Sequence, residues 1–329
     1  METAYVHYFS GTGNTLRAAH IIMEGLVRCG NKVTLLDITK PSPNLEMAPL
    51  HIVMFPVYGF GAPSLVLNYV RRLKAEHGTR AAIIAIGGTK GEAAGFEGQA
   101  LNQVKSILAR GGFTVTFSDF ATYPENWTQF FNSPDTETTK IICQRADQSV
   151  AAFTDRIVNG CLSHRHTNRL LRTLTLPIFW SYHYIGRRFL GKLYVADNSC
   201  SGCSACAQVC PVSAITMKAT KPMWNWQCVG CQRCINRCPS KSIQTSNARL
   251  IIIICTNLLP LYPAVLFARI FSWSPLAVLS GLSSYVLLNF LSCVVADYIL
   301  RGLERNTATR GVFTSSFTKD YRRYRNPNI

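Results

Sequence analysis

The spacing of eight cysteines constrains this chain more than any other feature. Cys200, Cys203, Cys206 and Cys210 are followed by Pro211, and Cys228, Cys231, Cys234 and Cys238 by Pro239, so the second run repeats the first twenty-eight residues later. Each run is the C-x2-C-x2-C-x3-C-P pattern whose thiolates hold a [4Fe-4S] cube, with the fourth cysteine going to the other cluster when two runs are present. The spacing therefore predicts two cubes in one small domain. Zinc is the rival for Cys-x2-Cys pairs, but structural zinc sites separate two pairs by a longer loop. Here three cysteines crowd into seven residues and Cys-Pro closes each run. The other five cysteines, Cys29, Cys143, Cys161, Cys255 and Cys293, read as small buried apolar residues. A disulfide framework is not expected, because cluster thiolates need a reducing compartment and Met1-Glu2-Thr3 does not read as a signal peptide.

The N-terminal half reads as alternating strand and helix. An apolar strand over residues 4–9 runs into Ser10-Gly11-Thr12-Gly13-Asn14-Thr15, and a helix follows from about Thr15 to Cys29, ending at Gly30. Strand, small hydroxyl-rich turn and helix make a phosphate cradle, since backbone N–H groups can close around an anion at the positive end of the helix. The turn lacks the Gly-Lys-Ser/Thr of a Walker loop, and Gly11-x-Gly13-x-x-Leu16 is not a dinucleotide fingerprint. Further strands are expected at 32–37, 51–55, 80–86 and 113–117, with helices at 64–74, 97–110 and 138–158. Five near-continuous apolar strands interleaved with helices specify a doubly wound five-stranded parallel sheet, whose ligands sit at the carboxyl ends of the strands. The loops there are Pro56 to Pro63, Gly87 to Gly91 and Tyr123 to Trp127, glycine-rich or aromatic, as suits a mononucleotide with a planar head group.

Phe9 to Thr15 resembles the phosphate loop of flavodoxins, and Pro56 to Phe60 resembles the loop that flanks their isoalloxazine. The resemblance implies FMN, with the phosphate on Ser10, Gly11, Thr12, Gly13, Asn14 and Thr15. Pro56, Val57, Tyr58, Gly59, Phe60, Gly87 and Gly88 would lie near the ring. The acidic, tyrosine-bearing third loop of small electron-carrying flavodoxins is missing, and Gly87 to Gly91 stands in its place. The cysteine region is similar to bacterial two-cluster ferredoxins, an α+β domain. That similarity implies one cube on Cys200, Cys203, Cys206 and Cys238 and the other on Cys228, Cys231, Cys234 and Cys210, with Trp224 and Trp226 shielding a cluster from water.

Charge divides the chain. Residues 1–160 carry fourteen Lys/Arg against thirteen Asp/Glu, whereas residues 161–249 carry twelve against Asp197 alone. No nucleic-acid recognition signature accompanies that excess, so nucleic acid is not an expected partner. Arg233, Arg237 and Lys241 could offset cluster charge, or dock an acidic redox partner or anionic lipid. Residues 161–195 are basic and aromatic, with Pro177 expected to break or kink any helix. They read as a connector packed between two redox domains, or as an amphipathic segment on a membrane surface. His164, His166 and His183 lack a metal-site arrangement and read as solvated or packing.

Between Arg249 and Asp297 the only charged residue is Arg269. Residues 250–268 and 270–296 are each about long enough to cross a bilayer, for which roughly 20 residues are needed. They predict a C-terminal helical hairpin with a turn near Arg269 to Pro275 and Trp273 at an interface. A hairpin buried against a partner subunit is the competing reading. Basic residues flank both ends, so both termini are expected on the cytoplasmic side of the membrane. The expected organisation is a flavodoxin-like domain (1–160), connector (161–195), two-cluster domain (196–246), hairpin (247–303) and a mobile basic tail (304–329). A fused flavodoxin-like and two-cluster ferredoxin protein implies electron transfer between FMN and the clusters, with an unidentified redox protein, membrane lipid and a quinone as expected partners. A flavin-dependent reductase of a small molecule or quinone, fed by the clusters, is the alternative. No catalytic residue is assigned.

Overall fold

The apolar runs of the N-terminal half become the strands of one parallel sheet. The protein, seen in a computed structural model, is described except at residues 1, 42–47, 77, 92–95, 259, 271–273, 325 and 327–329. Strands β1 (Thr3–Tyr8), β2 (Lys32–Asp37), β3 (Leu50–Pro56), β4 (Arg80–Thr89), β5 (Thr114–Pro124) and β6 (Ser163–His164) lie in the order β2-β1-β3-β4-β5-β6. The first five follow the flavodoxin-like order, which reverses between β1 and β3 and opens a crevice at their carboxyl ends. One face packs on α1 (Asn14–Arg28) and α4 (Thr136–Val158), through Val6, Ile52 and Ile84 against Ala18, Ile22 and Val150. The other packs on α2 (Ser64–Val70) and α3 (Ala100–Arg110), through Val53, Phe55 and Ile83 against Val66, Val104 and Leu108. Burial on both faces is why these strands read as continuous apolar runs.

Two features of this sheet depart from the sequence reading. It has six strands, not five: β6 is only two residues long, too short to show any alternation, and is fixed by Arg165 N–H donating to Ser118 O at 2.8 Å. Strand β5 runs seven residues beyond the apolar stretch that announced it, because it stays paired with β4 as far as Pro124 opposite Thr89, and a bulge between its pairings with Ala81 and Ala82 shifts the register.

The connector forms α5 (Arg169–Ser181), a π-helical turn (Tyr182–Gly186) and α6 (Arg187–Lys192). Pro177 lies inside α5 without ending it, and the ladder widens only at Tyr182. Phe179 is buried, while Leu170, Leu174, Ile178, Trp180 and Ile185 are exposed. The cysteine region contributes β7 (Tyr194–Ala196), α7 (Ala205–Gln208), β8 (Ile215–Lys218), β9 (Lys221–Trp224), α8 (Arg233–Arg237) and β10 (Ile243–Thr245), paired as β7 with β10 and β8 with β9. Its sequence repeat is written into the backbone. Gly202 and Gly230, Ser204 and Gln232, and Ser213 and Lys241 are three pairs at the twenty-eight-residue interval, and all six residues have positive φ. Two equivalent turns therefore wrap two equivalent sites.

The C-terminal part forms α9 (Asn247–Leu258), α10 (Leu261–Ile270), α11 (Pro275–Arg305) and α12 (Thr307–Thr314). The first apolar segment is thus two helices, with Pro260 at the break. Asn257 O is left to accept from Tyr285 Oη at 3.1 Å, and Asn289 Nδ2 donates to Asn257 Oδ1 at 2.9 Å. Such bonds between helices satisfy polar groups on otherwise apolar faces. Residues 247–266 and 278–304 are each long and apolar enough to cross a membrane, and only 12% and 11% of them are buried within the chain. Trp273 and residues 271–273 of the turn lie outside the described residues. The segment after α12, expected as a mobile tail, is packed instead: Thr318, Tyr324 and Asn326 are buried. Of the five scattered cysteines only Cys143 and Cys293 are buried, whereas Cys29, Cys161 and Cys255 are exposed, Cys255 on the apolar α9.

Candidate functional site

The phosphate-type loop sits where the strand order reverses. Gly13 has φ 113°, a conformation open mainly to glycine, which turns the chain from β1 into α1, and its N–H donates to Ser10 Oγ at 3.1 Å. Helix α1 has no acidic residue in its first turn and no side-chain cap, so its leading N–H groups remain available to an anion. Ser10, Gly11, Thr12, Asn14 and Thr15 line a cavity that is completed by Pro56, Val57, Tyr58 and Gly59 after β3, Gly87 and Gly88 of β4, and Glu125, Asn126 and Trp127 after β5. Every loop at the carboxyl edge singled out from the sequence thus contributes. Three expected residues do not reach the cavity: Gly13 packs against Asn326, Phe60 turns to Phe96, and Tyr123 is buried with its hydroxyl donating to Asp147.

The remaining wall comes from elsewhere in the chain. Tyr182 of the π-helical turn and Gly230 and Gln232 of the second cysteine run also line this cavity. A Cβ on Gly11 would stand 2.3 Å from Cys231 O, so only glycine lets the two loops meet. Arg233 clamps them: Nη2 donates to Ser10 O at 2.7 Å, Nη1 donates to Val209 O at 3.0 Å, and the guanidinium lies over the Phe9 ring. Arg233 therefore faces the flavodoxin-like domain, not a membrane or an outside partner. Thr128 Oγ1 donates to Asn236 Oδ1 at 2.8 Å and Thr245 Oγ1 to Gln129 O at 2.9 Å, joining the loop after β5 to the cysteine region.

The eight motif cysteines gather into two sets. Cys210, Cys228, Cys231 and Cys234 line one cavity, and Cys200, Cys203, Cys206 and Cys238 line another. The thiols ring a space instead of converging on a point: among the described residues no three His, Cys, Asp or Glu groups are placed to share one ion. Beside the first set, Tyr194 Oη is a buried donor without a hydrogen-bond partner, and Trp224 Nε1 is buried and directed at the Cys234 thiol. Bridging sulfides and thiolates of a cube would accept from both, so these residues fit the group. Burial pushes the Cys228 thiol up to about 12 and the Cys206 thiol up to about 11. Held in such surroundings, the thiolates need the compensating charge of iron. Cys238 is pulled the same way by burial, but hydrogen bonds with the Ser242 and Ser240 hydroxyls outweigh this and hold it low.

One part of the site has no signal in composition or motif. The Tyr324 hydroxyl donates to Asn14 Oδ1 at 2.5 Å, Asn326 N–H donates to Thr12 O at 3.3 Å, and Tyr324 N–H donates to Asn236 Oδ1 at 2.7 Å. The C-terminus therefore clasps the outer side of the phosphate-type loop and ties it to α8. Arg17, paired with Asp147 at 2.6 Å, also donates to Asn326.

A family model described as "4Fe-4S dicluster domain" matches residues 199–243. The chain joins a flavodoxin-like domain to a 4Fe-4S domain. Among solved structures, flavodoxin 1 from Bacillus cereus is similar at 19% identity, with 48% of this chain and 97% of that one covered and a TM-score of 0.32. A Fusobacterium nucleatum flavodoxin bound to flavin mononucleotide is similar at 13% identity, 48% and 98% coverage and a TM-score of 0.33. The rubredoxin oxygen:oxidoreductase of Desulfovibrio gigas is similar at 15% identity and a TM-score of 0.31, with 48% of this chain but only 37% of that one covered. At these scores the strand order itself, not the likeness, carries the fold assignment. No curated protein matches the chain.

Proposed function

We propose that this fusion passes electrons between an FMN in the loop cavity and two [4Fe-4S] clusters, one on each four-cysteine set, at the cytoplasmic face of a membrane. The observation that carries the reading is the shared wall. Gln232 lines both the loop cavity and the cavity of Cys210, Cys228, Cys231 and Cys234, and Cys231 presses on Gly11. When bound, FMN supplies two-electron chemistry divisible into single steps, and the cubes carry single electrons. The chain's own part is positional. Gly11 permits contact, Arg233 fixes it, and Tyr194 and Trp224 offer donors to the cluster site from a buried wall. Tyr182, Gly230 and Gln232 bring the cysteine region into the wall of this cavity, which favours electron transfer to that region over a small-molecule reductase.

The membrane placement draws on the two apolar segments and on their anchorage. Arg249 at the start of the first and Asp297 near the end of the second are ion-paired to each other, and Asp297 also binds Lys192 at 2.8 Å. Both segment ends thus meet the end of the connector on one side, and the flanking Arg249, Arg301 and Arg310 favour the cytoplasm. The exposed apolar face of α5 fits a membrane surface as well. Anaerobic purification in detergent, with iron, sulfide, zinc and flavin quantified, tests the proposal: about eight iron and one FMN per chain are expected. Zinc in place of iron, or no flavin, would sink it.

A further inference from the structure

A second cavity is larger than the loop cavity. It measures about 630 Å³ between the cluster domain and the ends of the apolar hairpin, within the usual size of a small-molecule site. Three observations bear on its occupant. Tyr194 and Trp224 line this cavity and also the Cys210–Cys228–Cys231–Cys234 cavity, and Pro222 lines both it and the other cysteine set. Whatever enters is therefore one residue layer from each cluster site. The cavity is also strongly basic, with Lys192, Lys218, Lys221, Arg249, Arg301 and Arg310 against Asp297 and Glu304. Arg310 Nε is buried there without a partner. Finally, Arg249 belongs to the beginning of the first apolar segment and Asp297, Arg301 and Glu304 to the end of the second, which places the cavity at the level where the bilayer surface would lie.

We infer that this cavity binds the head group of a membrane quinone and that the clusters exchange electrons with it; the inference rests on the electron-transfer reading above. A quinone carries two carbonyl acceptors on a flat ring and an apolar tail that reaches into lipid. The Tyr194–Trp224 wall offers the ring an aromatic surface, while Arg310 Nε and Lys218 supply donors. In the reducing direction, two electrons from the reduced clusters and two protons from water convert both C=O groups to C–OH. The basic lining stabilises negative charge that arises before the protons arrive. An anionic lipid head group would satisfy the charge, but it has no need to lie against both cysteine sets.

The test uses the full chain in detergent, with iron and FMN content measured first, and ubiquinone-1 as the probe. Binding is followed by quenching of tryptophan fluorescence, and electron exchange by bleaching and return of cluster absorbance after dithionite reduction. Saturable binding and cluster reoxidation by ubiquinone-1 are expected, with Kd raised about tenfold or more in Arg310→Gln and in Lys218→Gln, both retaining full iron and FMN. The second variant guards against misfolding of the first. A fully loaded protein that does not bind ubiquinone-1, or binds it equally in both variants, would overturn the site. So would a co-purified anionic phospholipid, seen by mass spectrometry, that ubiquinone-1 does not displace. A preparation without iron or FMN fails earlier and overturns the electron-transfer reading together with this one.

Discussion

Arg233 shows how one side chain can hold two loops in register. Its guanidinium spans Ser10 O of the phosphate-type loop and Val209 O beside Cys210, and hydrogen bonds from a charged group contribute about 1.5–3 kcal/mol each. Arg233→Met is expected to weaken FMN binding by about tenfold or more while iron content is kept, as read by flavin released on ultrafiltration. Gly11→Val should have a different signature. The added atoms collide with Cys231 O, so the interface opens and electron exchange between flavin and clusters slows, measured by stopped-flow absorbance at the two chromophores. His7 and His51 report on stability. They stack in the sheet with His7 Nε2 2.9 Å from His51 Nδ1 and His7 Nδ1 2.7 Å from Tyr69 Oη. Burial, with the neighbouring His51 adding to it, lowers His7 to about 3, and burial lowers His51 to about 4. The unfolded chain takes up these protons as pH falls below 6.5 and the folded one does not. Their contribution is therefore intact above that pH and is lost as pH falls to about 4 for His51 and about 3 for His7, at up to about 1.4 kcal/mol per pH unit for each histidine. Thermal unfolding of the wild type should fall more steeply from pH 6.5 to 5 than that of a His7→Phe/His51→Phe variant.

At the scale of elements, the C-terminal segment is the part whose composition misleads most. Its basic, polar sequence reads as a tail because its interactions are hydrogen bonds to distant loops, which leave no periodicity. Yet Tyr324 and Asn326 are 5% and 1% exposed, and they hold Asn14 and Thr12. Tyr324→Phe, which removes the bond to Asn14 but keeps the Tyr324 N–H on Asn236, is expected to loosen FMN while the iron stays; unchanged retention of flavin in gel filtration would show that the clasp does not position the loop. Strand β6 escaped for a related reason, being two residues of pairing without a pattern. Helices α1 and α3 and strands β1 to β4, by contrast, are close to where their apolar periodicity puts them, because each buries its apolar residues against the same sheet.

At the scale of the whole molecule, the hairpin is joined to the redox domains by a buried ionic knot. Asp297 accepts from Lys192, Arg249 and Arg301, and Arg249 also pairs with Glu304. Lys192 and Asp297 are 2% and 8% exposed at their side chains. Removing one partner of a buried pair strands its neighbours, at a cost of about 3–5 kcal/mol. Asp297→Asn should therefore loosen the hairpin from the cluster domain, seen as protease cleavage near residues 246–249 in detergent, while Glu304→Gln, at the rim, should do much less.

The sequence by itself determined the chemistry and most of the framework. Thiolate spacing, a glycine and hydroxyl turn between a strand and a helix, and two long uncharged runs are local features, each legible in a short stretch of residues. It also determined that the two cysteine runs would be twins, which the paired positive-φ residues display. Only the tertiary structure decided how the parts face one another. Cys231 against Gly11, Tyr324 on Asn14 and Lys192 on Asp297 join residues far apart in the chain through surfaces that no spacing rule connects. The same holds for Arg233, whose charge reads as outward-facing and whose partners are two buried carbonyls. Contacts of that kind are set by shape and by the need to satisfy buried polar groups, and both exist only once the domains have folded together.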